Sequence, residues 1–296
     1  MDFKEELRNY VNIVNNELEK YVRKKECPEQ KLNESMEYSL ISSAKRLRPI
    51  LMISSYRLFK EDYETVFPFA VAMEMIHNFS LIHDDLPGID NDDFRHGKPT
   101  NHRAFNEATA ILAGDGLLNN AYLVISKNLE KEKDQDMLQK KIKAFNELSY
   151  GVDRMIAGEY VDTEFEGQEI SNEYLEYMHN NKTGALIRAS IRIGAILANA
   201  SEVDLDRLTK YAEKIGLAFQ IKDDILSEIG DEKVLGKPVG NDREHGKVTF
   251  VTKYGLDMAI EKLDEITSEA LDEISCYGDK GEFLRQLAIY IKNREK

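Results

Sequence analysis

An all-helical protein is predicted by three features of the sequence. Only six prolines occur among 296 residues, and none lies between Pro99 and Pro238, so little in that stretch has to break a helix. Across it, apolar residues recur at steps of three and four rather than alternating, which is the spacing of a helix face and not of a strand. No linker, low-complexity stretch or internal repeat divides the chain, so residues 1–296 are expected to form a single domain, a helical bundle.

Composition narrows the class. With 42% hydrophobic and 32% charged residues, the chain reads as an ordinary water-soluble protein, and no apolar run is expected to span a membrane. The first segment, MDFKEELRNYVNIVNNELEKYV, mixes acids and bases with spaced apolar residues, unlike a secretory signal; a cytoplasmic location is expected. Cys27 and Cys276 match no metal-binding spacing and are read as reduced thiols. A net charge of −14 excludes nucleic acid as a partner, since a polyanion is bound through a basic face. A small phosphorylated substrate stays possible if divalent cations and a few placed Lys and Arg reverse the local field.

Next comes AKRLRP, Ala44 to Pro49. Proline is favoured at the start of a helix, and a helix N-terminus beside basic side chains is a ready anion site. A solvated basic turn is the plainer alternative. The segment from Phe69 to Asp85 is apolar nearly all round, as in a helix buried inside a bundle. Its exceptions are ordered: His77, Ser80 and Asp84 fall at i, i+3 and i+7 on one face. Pro87 and Gly88 stop this helix and leave Asp84 and Asp85 in its last turn, where the helix dipole disfavours carboxylates. A bound metal resolves that conflict. In the segment from Leu208 to Ile229, Tyr211, Ile215, Ala218, Ile225 and Ile229 form one apolar stripe, with Lys222 on it and Asp223 beside it. Charges placed there need a charged partner or a metal, so they are expected to line a central active-site cavity.

Two acidic strings carry the chemistry: LIHDDLPGIDNDDFRHGKPTNH, Leu81 to His102, and AFQIKDDILSEIGDEKVLGKPVGND, Ala218 to Asp242. Each follows its carboxylates with Lys or Arg. Carboxylate, water and phosphate oxygens are the ligands magnesium prefers, with one or two carboxylates and substrate phosphate completing the octahedron. Two facing motifs would clamp a diphosphate between metals.

These strings, with AKRLRP, NKTGALI at Asn181 to Ile187, and the four residues between Asp85 and Asp90, resemble the trans-isoprenyl diphosphate synthases, in the bacterial farnesyl diphosphate synthase branch. The likeness runs from about Ser43 to Tyr254. It implies an all-α bundle of the isoprenoid synthase type, a homodimer, and three Mg2+ ions per site. The activity it implies joins isopentenyl diphosphate to dimethylallyl or geranyl diphosphate, with farnesyl diphosphate as product. By the same resemblance Asp84 and Asp90 ligate two ions on the allylic diphosphate and Asp223 a third, while Asp85 and Asp224 support them from behind. Arg95, Lys182 and Lys237, with Lys222 as a further candidate, would neutralise the leaving diphosphate. Lys45, Arg48 and His77 would hold isopentenyl diphosphate, with His96 standing where the family has a second arginine for that purpose. Thr183 and Gln220 would face the allylic cation. Phe79, five residues ahead of Asp84, and Ser80, one turn below Asp84, would set product length; a plain core phenylalanine is the alternative.

Three departures from the family pattern stand out: His96, Ser227 in place of the last aspartate of the second motif with Glu228 beside it, and Glu159 where glutamine is usual. Geranyl or geranylgeranyl diphosphate synthases are close alternatives. A terpene cyclase would not require Lys45, Arg48 and His77, and a non-catalytic subunit would lack the aspartates. A metal phosphohydrolase built on His83 and Asp84 would need more histidine ligands than six residues in no cluster supply.

Overall fold

A computed structural model describes residues 2–22, 26–42, 44–95, 97–165, 167–168, 170–229 and 248–294. Nearly all regular structure is helical, as the spacing predicts, and the chain divides into two compact units.

The first unit holds residues 1–53 and 62–145. It contains α1 (Phe3–Glu19), α2 (Gln30–Leu40), the start of α3 (Leu47–Arg57) and α4 (Phe67–Asp84). A two-residue ribbon follows, β1 (Phe94–Arg95) with β2 (Lys98–Pro99), then α5 (Asn101–Ala104), α6 (Glu107–Lys131) and the first turns of α7 (Gln135–Glu164). The ribbon is the one break from the all-helical expectation among the described residues. Arg95 pairs with Lys98 across Gly97, whose φ of +75° glycine adopts at no steric cost.

Helix α4 is the centre of this unit. Phe69 through Ile76 are buried without interruption, and the run opens at His77, Ser80, Leu81, His83 and Asp84, so the predicted polar face is a partly exposed stripe on a core helix. Against α4 lies α6, whose buried face is Ala110, Ala113, Gly114, Leu117, Ala121 and Ile125. Small residues let the backbones close up: a Cβ on Gly114 would stand 2.2 Å from His83 Nε2. By length and composition two helices, Glu64–Asp84 and Glu107–Lys131, are apolar enough to cross a membrane. In the first, that apolar surface is the core of the unit, and it carries Glu74, His77 and Asp84 besides.

The second unit holds residues 54–61 and 146–296. It is built from the rest of α7, α8 (Asn172–Lys182), α9 (Gly184–Leu197), α10 (Glu202–Ile229), α11 (Phe250–Tyr254), α12 (Leu256–Ile274) and α13 (Glu282–Asn293). Ala218, Ile221 and Ile225 of α10 pack with Phe250, Val251, Ala259, Leu263 and Ile266. Of the predicted stripe, Tyr211, Ile215, Ala218 and Ile225 are buried, whereas Ile229, the last helical residue, is 57% exposed. Tyr211 is fully buried and its hydroxyl donates to the Leu284 carbonyl at 2.8 Å, tying α10 to α13.

Candidate active site

Each unit presents one group of the predicted residues. In the first, α4 ends at Asp84, and the chain turns at once: Leu86 N–H donates to His83 O, Ile89 N–H to Leu86 O, and Asp90 N–H to Asp84 O at 2.8 Å. The turn demanded by Pro87 and Gly88 thus brings Asp90 back to Asp84 by a direct backbone bond. Asp84 is partly exposed and Asp90 exposed. Two accessible carboxylates on one tight turn are hard oxygen donors of the number magnesium takes from protein.

Asp85 points the other way. It is 3% exposed, and its two oxygens accept from Arg95 Nε at 2.8 and 3.0 Å, with Arg95 Nη2 at 2.6 Å from Oδ1. Desolvation lowers the pKa of Arg95, but the hydrogen bond to Asp85 and the charges of Asp85, Asp84 and Asp92 outweigh it and leave the pKa raised. The guanidinium is therefore a permanent cation held close to Asp84 by a bidentate fork.

The basic group comes together on the same unit. Lys45 is exposed, and Arg48 Nη1 donates to His77 Nε2 at 3.3 Å, which fixes an unprotonated nitrogen there. Helix α3 starts at Leu47, two residues ahead of Pro49, which sits in the first turn where a missing N–H costs nothing. Phe79 is 7% exposed and meets the His83 ring edge-on at 4.9 Å; the Ser80 hydroxyl donates to the His77 carbonyl.

In the second unit, Lys182 ends α8 and Thr183 links it to α9. A relay of hydrogen bonds runs from the Thr183 hydroxyl to Gln220 Oε1 (2.9 Å), from Gln220 Nε2 to Asp224 Oδ1 (2.9 Å), and from Phe250 N–H to Asp224 Oδ2 (2.8 Å). Asp224 is buried and fixes the Gln220 amide, leaving the oxygens of Thr183 and Gln220 as the acceptor ends. Lys222 is half-buried on α10. Lys182 Nζ lies 2.9 Å from Glu159 and 2.5 Å from Asp162. Glu159, the residue that departs from the family pattern, is therefore paired. Gly158 makes the pairing possible: a Cβ there would lie 2.1 Å from the Lys182 backbone nitrogen, so α7 and α8 touch at this point.

Asp223 accepts from Arg294 Nη2 at 2.7 Å; that arginine also donates to the Phe219 carbonyl and stacks 4.0 Å over the Phe219 ring. Sequence reasoning missed Arg294, Asp162, Arg46 and Glu74. Arg294, in the charged stretch KNREK, carries no local signal. His96 and Lys237 lie outside the described residues. Among the described residues no group of three or more His, Cys, Asp or Glu side chains converges. On donor chemistry Asp84 with Asp90, and Asp223, fit magnesium.

The polyprenyl synthetase family model matches residues 29–285. The chain belongs to the polyprenyl synthetase family. A farnesyl diphosphate synthase of Geobacillus stearothermophilus is 42% identical over 257 residues, covering 87% of this chain and 86% of that protein. A geranylgeranyl diphosphate synthase of Cyanophora paradoxa is 40% identical over 264 residues, covering 88% and 87%. Among solved structures, an FPP/GFPP synthase of Zymomonas mobilis superposes with a TM-score of 0.86 at 32% identity, over 98% of both chains. The all-α fold is that of the isoprenyl synthases, and this polyprenyl synthetase family member is a short-chain prenyltransferase.

Proposed function

We propose that this synthetase joins isopentenyl diphosphate to dimethylallyl and geranyl diphosphate and releases farnesyl diphosphate, using magnesium. The observation that carries this reading is the Asp84–Asp90 turn with Arg95 beside it. It couples two accessible carboxylates to a fixed cation, which is what a metal-complexed diphosphate needs. The relatives support the short product, and the unbroken family match across both units supports reading them as one functional domain.

In this reading Asp84, Asp90 and Asp223 hold magnesium, which when bound draws charge off the leaving diphosphate. Arg95, Lys182 and Lys237 take up the remaining negative charge. The Thr183 and Gln220 oxygens face the allylic cation and are kept from rotating by Asp224. Lys45, Arg48 and His77 hold the isopentenyl diphosphate so that its double bond attacks C1 of the allylic cation. The proton lost afterwards goes to the departing diphosphate, so no side-chain nucleophile is needed. Preorganised charge supplies most of the rate. We further propose a cytoplasmic homodimer; Ile111, Leu112 and Leu123 of α6 are exposed apolar surface of the kind a second copy would cover.

The test is incubation with magnesium, labelled isopentenyl diphosphate and, separately, dimethylallyl, geranyl or farnesyl diphosphate, followed by chromatography. A fifteen-carbon diphosphate as end product supports the proposal. Consumption of the allylic substrate to hydrocarbon without isopentenyl incorporation would replace it with a cyclase.

A further inference from the structure

Arg46 stands between Lys45 and Leu47, yet the structure gives it a different place from its basic neighbours. Lys45 is exposed and Arg48 half-buried, while Arg46 is 3% exposed. Its backbone φ is +51°, a left-handed conformation that side chains other than Gly, Asn and Asp rarely adopt. The guanidinium is held from four directions. Nη1 donates to Glu74 Oε1 at 2.6 Å, Nε to Asn15 Oδ1 at 2.9 Å, and Nη2 to the carbonyls of Leu40 and Ser42, both at 2.9 Å.

Glu74 sits mid-way along α4 in the most apolar part of the unit. Both side chains of the pair are 1% exposed, and Glu74 Oε2 has no hydrogen-bond partner among the described residues. A buried ion pair with one unmet oxygen is a poor device for stability, because apolar side chains of similar volume fill such a space at lower desolvation cost. What the pair achieves is placement. The Arg46 carbonyl accepts from Ile50 N–H at 3.1 Å and so opens α3. On either side of this inward-locked side chain, Lys45 is exposed and Arg48 lies 3.3 Å from His77 Nε2. Glu74 and His77 are three residues apart on α4, so one helix face fixes both arginines.

We propose that Arg46 and Glu74 are positioning residues for isopentenyl diphosphate, holding the strained loop that presents Lys45 and Arg48 to its phosphates. This rests on the assignment of Lys45, Arg48 and His77 to that substrate.

The test is the double variant Arg46→Met with Glu74→Leu, which replaces the pair by apolar side chains and preserves the core. Isopentenyl diphosphate is titrated calorimetrically into the full-length protein in EDTA, so that binding reports the basic group alone. The expected result is a variant whose circular dichroism spectrum is that of the folded parent, with isopentenyl diphosphate affinity down about tenfold or more. In steady state its KM rises while the KM for the allylic diphosphate stays within about twofold. Should the double variant lose its fold, Glu74→Gln, which keeps shape and removes charge, gives the same split. Unchanged affinity in a folded variant overturns the inference, as does equal weakening of both substrates. A parent protein that binds no isopentenyl diphosphate overturns the underlying assignment and the inference with it.

Discussion

Lys182 meets two carboxylates, Glu159 and Asp162, so in its proposed role the allylic diphosphate has to compete with them for it. Replacing Glu159 by Gln removes one competitor of a partly exposed pair, a difference of under about 1 kcal/mol. The KM for the allylic diphosphate is expected to fall about threefold, read from initial rates; a rise would mean that Glu159 orients Lys182 rather than competing for it. At Asp84 the expectation is larger. Asp84→Asn keeps the backbone turn to Asp90 but removes a charge, and kcat/KM should drop by about 100-fold or more with the circular dichroism spectrum unchanged. Arg95, by contrast, is tuned by geometry, since only a planar fork fits both oxygens of Asp85.

At the scale of elements, α7, α8 and α10 position the second group of residues by close contact. Gly158→Ala drives a methyl into the Lys182 backbone. Overpacking of this kind costs about 1–3 kcal/mol, so the chemical-denaturation midpoint should fall together with affinity for the allylic substrate. Helix α8 also carries His179, 3% exposed against Phe250. Burial pushes its pKa down to about 4; Lys182 adds to this and Asp162 opposes it. A depressed histidine contributes stability that is present above its unfolded pKa and is lost as pH falls from there toward the folded value. The window is pH 6.5 to about 4, and the loss at pH 5 is about 2 kcal/mol. His179→Gln should therefore lose less stability than the parent between pH 7.5 and 5 in parallel urea titrations; equal losses would mean the ring is protonated at little cost.

For the whole molecule, the net charge of −14 makes an allylic diphosphate unwelcome beside the acidic turn unless a divalent cation accompanies it, so chelating divalent metal should abolish turnover and an excess of magnesium restore it. Product length is proposed to depend on bulk near the floor of the pocket. Phe79 is buried against His83 on α4, five residues ahead of Asp84. Phe79→Ala should shift the end product toward twenty carbons on chromatography. A product still limited to fifteen would make Phe79 a core residue and place the limit elsewhere.

Helix content, the buried character of α4, its polar stripe at His77, Ser80 and Asp84, and the turn at Pro87-Gly88 were all determined by the sequence, because each depends on neighbours within a few residues. The acidic strings likewise identified the family from local order alone. Only the tertiary structure decided which partner each carboxylate meets: Asp85 is buried on Arg95, Asp223 lies on Arg294, and Glu159 and Asp162 lie on Lys182. Adjacent aspartates on a helix differ by about 100° of rotation, so composition cannot tell them apart. The partner of each is set by chain that returns from 10 to 71 residues away. Arg46 shows the same limit: in sequence it is one more basic residue of a motif, and only a buried glutamate 28 positions on makes it an anchor.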